Sequence, residues 1–172
     1  LDNLLAELLK ARPGVTPAWL MTQAYGTGYD RLGDMHTDEM WARISMASQQ
    51  VMEKTPTRLL IPAGTAIQNA RYTALDRFGK AGHLVYDGYH LHEGIAPLIE
   101  GLCAAQVVMK HYGVDVDVEK SRLRITPEWR KERRTPEPHG EPEPATDEDY
   151  SLAYRSVKWA LASPWQLTVI EK

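Results

Sequence analysis

An aspartate and a histidine three residues apart, Asp87 and His90, flank a glycine in the stretch Tyr86–Asp87–Gly88–Tyr89–His90–Leu91–His92–Glu93–Gly94. A carboxylate and an imidazole at that spacing, bent round a glycine, can meet in a single turn. The carboxylate would accept from Nδ1–H and fix the tautomer and orientation of the ring. Nε2 is then left as a general base for a hydroxyl such as that of serine. The same residues admit two other readings. Asp87–Gly88 is a strong two-residue hairpin signal, with Val85–Tyr86 and Tyr89–His90 as the arms, although a helical pattern begins too soon afterwards for a long second strand. His83, Asp87, His90 and His92 are also crowded enough to suggest a metal. Metal-binding helices place their ligands at i and i+4, however, and this spacing does not match. No metal and no cofactor is expected. His36, His83, His111 and His139 read as surface residues.

The elements that must position this turn follow from periodicity. Leu4, Leu5, Leu8 and Leu9 predict an amphipathic helix from Asp2 to Arg12, stopped by Pro13–Gly14. Ala18 to Tyr25 is a short, mostly apolar run that reads as a strand covered on both faces, ended by Gly26–Thr27–Gly28. Thr37 is the expected N-cap of a helix carrying Met40, Ile44, Ala47 and Val51, with Asp38 and Glu39 at its positive end. Arg58–Ile61 reads as a second buried strand. Thr65 and Gln68 have capping-box spacing, so a helix is expected to start there and run towards Phe78. Leu84–Tyr86 reads as extended, and Ile95 to about Gly113 as another helix. Val114 to Ile125 alternates loosely enough for short strands. A last helix starts near Thr146–Asp149 and ends before Pro164. Between them, about 126–149, lies a segment with five of the eleven prolines and almost no apolar residues. It reads as an exposed insertion.

Helices alternating with buried strands point to an α/β protein with a parallel sheet. In such sheets ligands bind beyond the carboxyl ends of the strands. That places Gln23 and Tyr25, Thr65 and Gln68, and the loop after Tyr86 on the candidate ligand side. Gln23 and Tyr25 are candidate pocket residues, with packing an equal alternative for Tyr25. Thr65 and Gln68 are candidates too, although the capping box is the preferred reading of both. The chain opens on Leu1 inside a helical pattern, and two buried strands are few for so many helices. It is therefore read as a fragment whose further strands lie upstream.

The 172 residues, 43% hydrophobic and 25% charged, can bury one real core. A net charge of −3 argues against nucleic acid or an anionic membrane surface as partner, and no apolar run is long enough to span a bilayer. A lone cysteine, Cys103, excludes an internal disulfide and reads as a buried filler. The five tryptophans are spread over separate elements and read as packing anchors. Nothing in the sequence fixes an oligomeric state.

Asp87–Gly88–Tyr89–His90–Leu91 followed by Glu93–Gly94–Ile95 resembles the last conserved block of the SGNH (GDSL-type) hydrolases. With Ile61–Pro62–Ala63–Gly64–Thr65–Ala66–Ile67–Gln68–Asn69–Ala70–Arg71, it is similar to a bacterial branch of that superfamily known as a domain of unknown function. Trp19 to Tyr25 and the closing Ala162–Ser163–Pro164 share the likeness. The resemblance implies a three-layer α/β/α, flavodoxin-like domain, of which this chain is the C-terminal part. It implies hydrolysis of small-molecule or carbohydrate esters, with His90 as general base and Asp87 as its orienting partner. It also implies a secreted or periplasmic setting. The superfamily's nucleophilic serine sits in a Gly–Asp/Asn–Ser block near the N-terminus, which this chain lacks, as it lacks the glycine and asparagine blocks of the oxyanion hole. None of Ser45, Ser48, Ser121, Ser151, Ser156 and Ser163 lies in a strand-to-helix nucleophile turn. By itself the chain is expected to be inactive and prone to aggregate.

Overall fold

Every residue of helix α3, Ala63–Arg71, is buried, and the other elements are arranged round it. The computed structural model describes residues 2–26, 29, 33, 35–79, 82–92, 94–121 and 144–168. In chain order the described elements are α1 (Asp2–Ala11), β1 (Ala18–Leu20), α2 (Thr37–Lys54), β2 (Leu59–Ile61), α3, a 3₁₀ turn at Ala74–Arg77, α4 (Ile95–His111), the short α5 (Val118–Ser121) and α6 (Asp147–Ala162). The chain is mixed α/β and mostly helical, with a small parallel sheet in which Ala18, Trp19 and Leu20 face Leu59, Leu60 and Ile61.

The first strand is shorter than its apolar run predicts, and the reason is local. Met21 N–H still donates to the Ile61 carbonyl at 3.0 Å, but the Met21 carbonyl then turns to Gly64 N–H at 2.7 Å. The strand end thus caps the start of α3, whose N-cap residue, Pro62, makes no side-chain bond. Gly64 is required for this approach, since a Cβ there would stand 2.1 Å from the Thr22 carbonyl oxygen. The expected capping box at Thr65 and Gln68 is therefore incorrect. The helix begins two residues earlier, and both side chains lie within it.

The helix expected to run on to Phe78 instead stops at Arg71. Thr73 breaks it, with its hydroxyl donating to the Ala70 carbonyl at 2.7 Å and accepting from Leu75 N–H at 3.1 Å, which starts the 3₁₀ turn. One residue before the expected cap of α2, His36 Nδ1 accepts from Asp38 N–H at 3.3 Å. The strands expected over Val114–Ile125 are not found in its described part, where residues 114–117 are irregular and Val118–Ser121 is a helical turn. Residues 122–125, and the insertion as far as residue 143, lie outside the described residues. The insertion's expected C-terminal end is helical from Asp147.

Successive residues of β2 serve different cores. Ile61 packs with the cluster of α3, α4 and α6, which includes Ile67, Leu75, Leu84, Ile99, Cys103 and Val157. Leu60 packs with a smaller cluster built on Met21, Ala24 and Trp41. Each large aliphatic side chain in these clusters contributes about 1.5–3 kcal/mol on burial. Cys103 is wholly buried, and desolvation pushes its thiol up to about 12, as suits a filler. In α1, Leu4 and Leu8 are exposed, Leu4 by 71%, and Leu5 and Leu9 are half-buried.

Helix α6 is fixed through Asp149. Its carboxylate closes a capping box with Thr146 and receives both Arg77 Nη atoms, at 2.8 and 2.7 Å. Burial pushes this carboxyl up, but Arg77 and the Thr146 donors outweigh it and hold it below the usual carboxylate range. Replacing Arg77 by Met leaves a buried carboxylate without its fork, and should cost about 1.5–3 kcal/mol in a denaturant melt at neutral pH. Because the folded pKa is depressed, this stabilisation is complete above the unfolded value of roughly 3.9 and is lost as pH falls through the folded value. Wild type and variant should converge in acid. A gap that stays constant down to pH 2 would contradict the assignment.

Candidate active site

The chain turns back on itself here, but not with Asp87–Gly88 as the expected two-residue turn: Tyr86 pairs with His90, so the loop is the three residues Asp87–Gly88–Tyr89, and Asp87 meets His90 across it. Val85 and Leu91 form an antiparallel bridge, Tyr86 N–H donates to the His90 carbonyl at 3.1 Å, and His92 N–H donates to that of Leu84 at 2.8 Å. Across the closed end, one Asp87 oxygen accepts from the backbone N–H groups of Tyr89 (3.1 Å) and His90 (2.8 Å). The other lies 2.6 Å from His90 Nδ1. One carboxylate thus folds the turn with one oxygen and aims the ring with the other. Partial desolvation pushes the Asp87 carboxyl up. The His90 amide and ring and the Tyr89 amide more than offset this and hold it below the ordinary carboxylate range. The ionised form needed to orient an imidazole is the favoured one.

A second loop is joined to this turn. Gln23 Nε2 donates to the Tyr89 carbonyl at 3.0 Å, and Gly26 N–H donates to the Gly88 carbonyl at 2.6 Å. Tyr25, Tyr29 and Tyr89 form a half-buried triangle, with ring centroids 5.2–5.5 Å apart. Tyr89 and Tyr86 also flank the His90 ring, at 3.7 and 5.4 Å. Tyr25 therefore packs, as its alternative reading has it, and it does so beside the dyad.

Thr65 and Gln68 hydrogen-bond elsewhere. Thr65, wholly buried, accepts from Trp41 Nε1 at 3.2 Å and donates to the Pro164 carbonyl at 2.6 Å. Gln68 bridges Asp38 (2.6 Å) to Arg71 (2.8 Å) beside a polar cavity of about 100 Å³ that Asp76 and His83 also line. His83 itself turns to Asp76, at 3.0 Å, and does not join Asp87 and His90. Among the described residues, no group of three or more His, Cys, Asp or Glu is placed to hold a metal ion. A groove of about 1020 Å³ between β2, α4 and α6 is lined by neither Asp87 nor His90. The Asp87–His90 contact lies at the turn, outside that volume.

Spacing alone does not reveal the contacts of the Tyr29 ring with Tyr25 and Tyr89, or the bonds of Arg71 to the carbonyls of His83 and Ala24. For Arg71 a signal was present, a single charge closing a helix otherwise made of small and neutral residues. Ahead of the turn, His83 and Leu84 both adopt left-handed backbone, φ 58° and 60°. Such conformations cost of order 1–3 kcal/mol each in non-glycine residues and persist only where the surroundings hold them.

A family model described as a domain of unknown function, DUF4886, matches residues 19–122, more than half of the chain. The chain belongs to the DUF4886 family. The match spans β1, the dyad turn and α4. Among solved structures, a DUF4886 family protein from Bacteroides uniformis is similar, with a TM-score of 0.71 at 20% identity. The likeness covers 96% of this chain and 56% of that one, so this chain spans little more than half the length of that relative. No curated protein matches the chain.

Gly88 is the residue on which this DUF4886 turn closes, at φ 96°, and a Cβ there would lie 2.7 Å from Tyr29 Cδ2. Gly88→Ala should cost about 1–3 kcal/mol from the backbone alone. It should also part the two loops, seen as faster exchange of the Gly26 amide. Unchanged stability and unchanged exchange would show that the turn is not held as described.

Proposed function

We propose that this chain supplies the base half of a serine ester hydrolase of the SGNH type. Asp87 orients His90, and His90 takes the proton of a serine hydroxyl as that oxygen attacks an ester carbonyl. The tetrahedral intermediate collapses with the proton returned to the leaving alcohol, and water then releases the acyl group by the same path. The substrate class is a small-molecule or carbohydrate ester.

The observation that carries this reading is the 2.6 Å contact between Asp87 and His90 Nδ1, made while the other Asp87 oxygen is tied to backbone amides. The parallel β1–β2 pair, with clusters packed against successive β2 residues, is compatible with the three-layer α/β/α fold proposed along with it. Among the described residues no serine hydroxyl hydrogen-bonds His90. Ser48 accepts from Trp19, Ser45 accepts from Gln49, and Ser156 donates to the Leu152 carbonyl. The nucleophile is accordingly assigned to a part of the whole protein beyond these residues, in keeping with the longer chain of the solved relative.

Fluorophosphonate labelling with peptide mapping tests this. The whole protein should label at one serine outside this chain, His90→Ala should slow labelling by about 10²–10⁴-fold, and the 172-residue chain alone should not label. Labelling within this chain would overturn the placement of the nucleophile. No labelling of the folded whole protein would leave a binding domain of the same fold.

A further inference from the structure

Arg71 is the charged residue of a helix with no exposed face, and it is only 7% exposed itself. All three of its nitrogens donate. Nε reaches the His83 carbonyl at 2.9 Å, one Nη reaches Gln68 Oε1 at 2.8 Å, and the other reaches the Ala24 carbonyl at 2.9 Å. The two backbone carbonyls are not arbitrary ones. Ala24 lies between Gln23 and Gly26, whose donors hold the Tyr89 and Gly88 carbonyls of the dyad turn. His83 begins the left-handed pair that leads the chain into that turn. One guanidinium therefore stands at the roots of both loops.

Charge pairing does not account for the arrangement. None of the three acceptors is a carboxylate. Burial pushes Arg71 down to about 10, against the opposing pull of Asp76 and Asp38. For stability alone, an apolar side chain of similar bulk would avoid the desolvation cost. What only a planar fork provides is a fixed spacing between acceptors in different directions, which the point charge of a lysine cannot hold.

We propose that Arg71 is the positioning residue of the site: its guanidinium locks the Ala24 and His83 carbonyls and so sets the loop bearing Asp87 and His90 against the loop bearing Gln23 and Gly26. Its bearing on catalysis rests on the hydrolase reading; the mechanical role does not.

Hydrogen exchange and imidazole NMR on the whole protein, as wild type, Arg71→Lys and Arg71→Met, test the mechanical role. Gly26 amide protection should fall at least about tenfold in both variants. The His90 Nδ1 proton resonance should weaken, while the Leu102 and Val157 amides keep wild-type protection. A folded variant with Gly26 protection and the His90 signal unchanged would overturn the proposal. If neither variant folds, the wild type decides. The Arg71 Nε proton and the Gly26 amide should exchange through one opening with the same denaturant dependence, and a Gly26 amide that opens while the Arg71 proton stays protected would overturn it. Fluorophosphonate labelling of the whole protein separates the two claims. Labelling slowed in step with lost Gly26 protection supports the role of Arg71. An unchanged rate in such a variant overturns the bearing of Arg71 on catalysis and leaves the hydrolase standing, whereas failure of the wild type to label removes only the hydrolase.

Discussion

Helix α3 has no solvent face, and much of the architecture follows from meeting that condition. A nine-residue helix buried on every side must find partners for its terminal backbone groups and its polar side chains inside the protein. Its first turn takes the Met21 carbonyl at the end of β1, which is why the strand stops where it does. Thr65 takes the Trp41 indole and the Pro164 carbonyl, tying α2 and the segment after α6 to it. Gln68 and Arg71 carry the same requirement out to Asp38 and to the loops at Ala24 and His83. The polar groups of one buried helix thus fix elements that are distant in sequence.

The dyad turn uses the same economy on a smaller scale. A turn and an Asp–His pair are usually alternative readings of Asp–Gly–x–His, but here a single carboxylate closes the turn with one oxygen and meets the imidazole with the other. Closing the turn is what aims the imidazole. Ring orientation is therefore a property of the backbone, and it is supported from behind by the tyrosine triangle and by the Gln23 and Gly26 donors of the neighbouring loop. On the proposed hydrolase reading, a base prepared in this way would need no reorganisation when its partner hydroxyl arrives.

The parts legible in the sequence were those with a local cause. The presence of helices α2, α4 and α6, the start of α6 near Thr146 and the meeting of Asp87 with His90 across a glycine all depend on neighbours a few residues apart. What could not be read has a tertiary cause. Thr65 and Gln68 have capping-box spacing, yet the helix starts at Ala63 because a strand carbonyl 43 residues before Gly64 supplies the cap. The apolar run to Tyr25 looks like a strand throughout, yet after Leu20 its carbonyls turn towards a helix. Val114 to Val118 alternates like a strand, but its described residues join no sheet, and Gln106 bonds the Val116 carbonyl instead. Arg71 carries no periodic signal at all. Its role exists only once the loops at Ala24 and His83 have converged on it.

The central claim is that Asp87 holds His90 as the tautomer with its proton on Nδ1 and Nε2 free to accept. Nitrogen-15 NMR of the His90 ring, read above the pH at which it loses its charge, addresses this most directly. The account predicts a protonated Nδ1 and a bare Nε2, with the tautomer lost in Asp87→Ala. A ring that carries its proton on Nε2, or that samples both tautomers equally in the wild type, would contradict it.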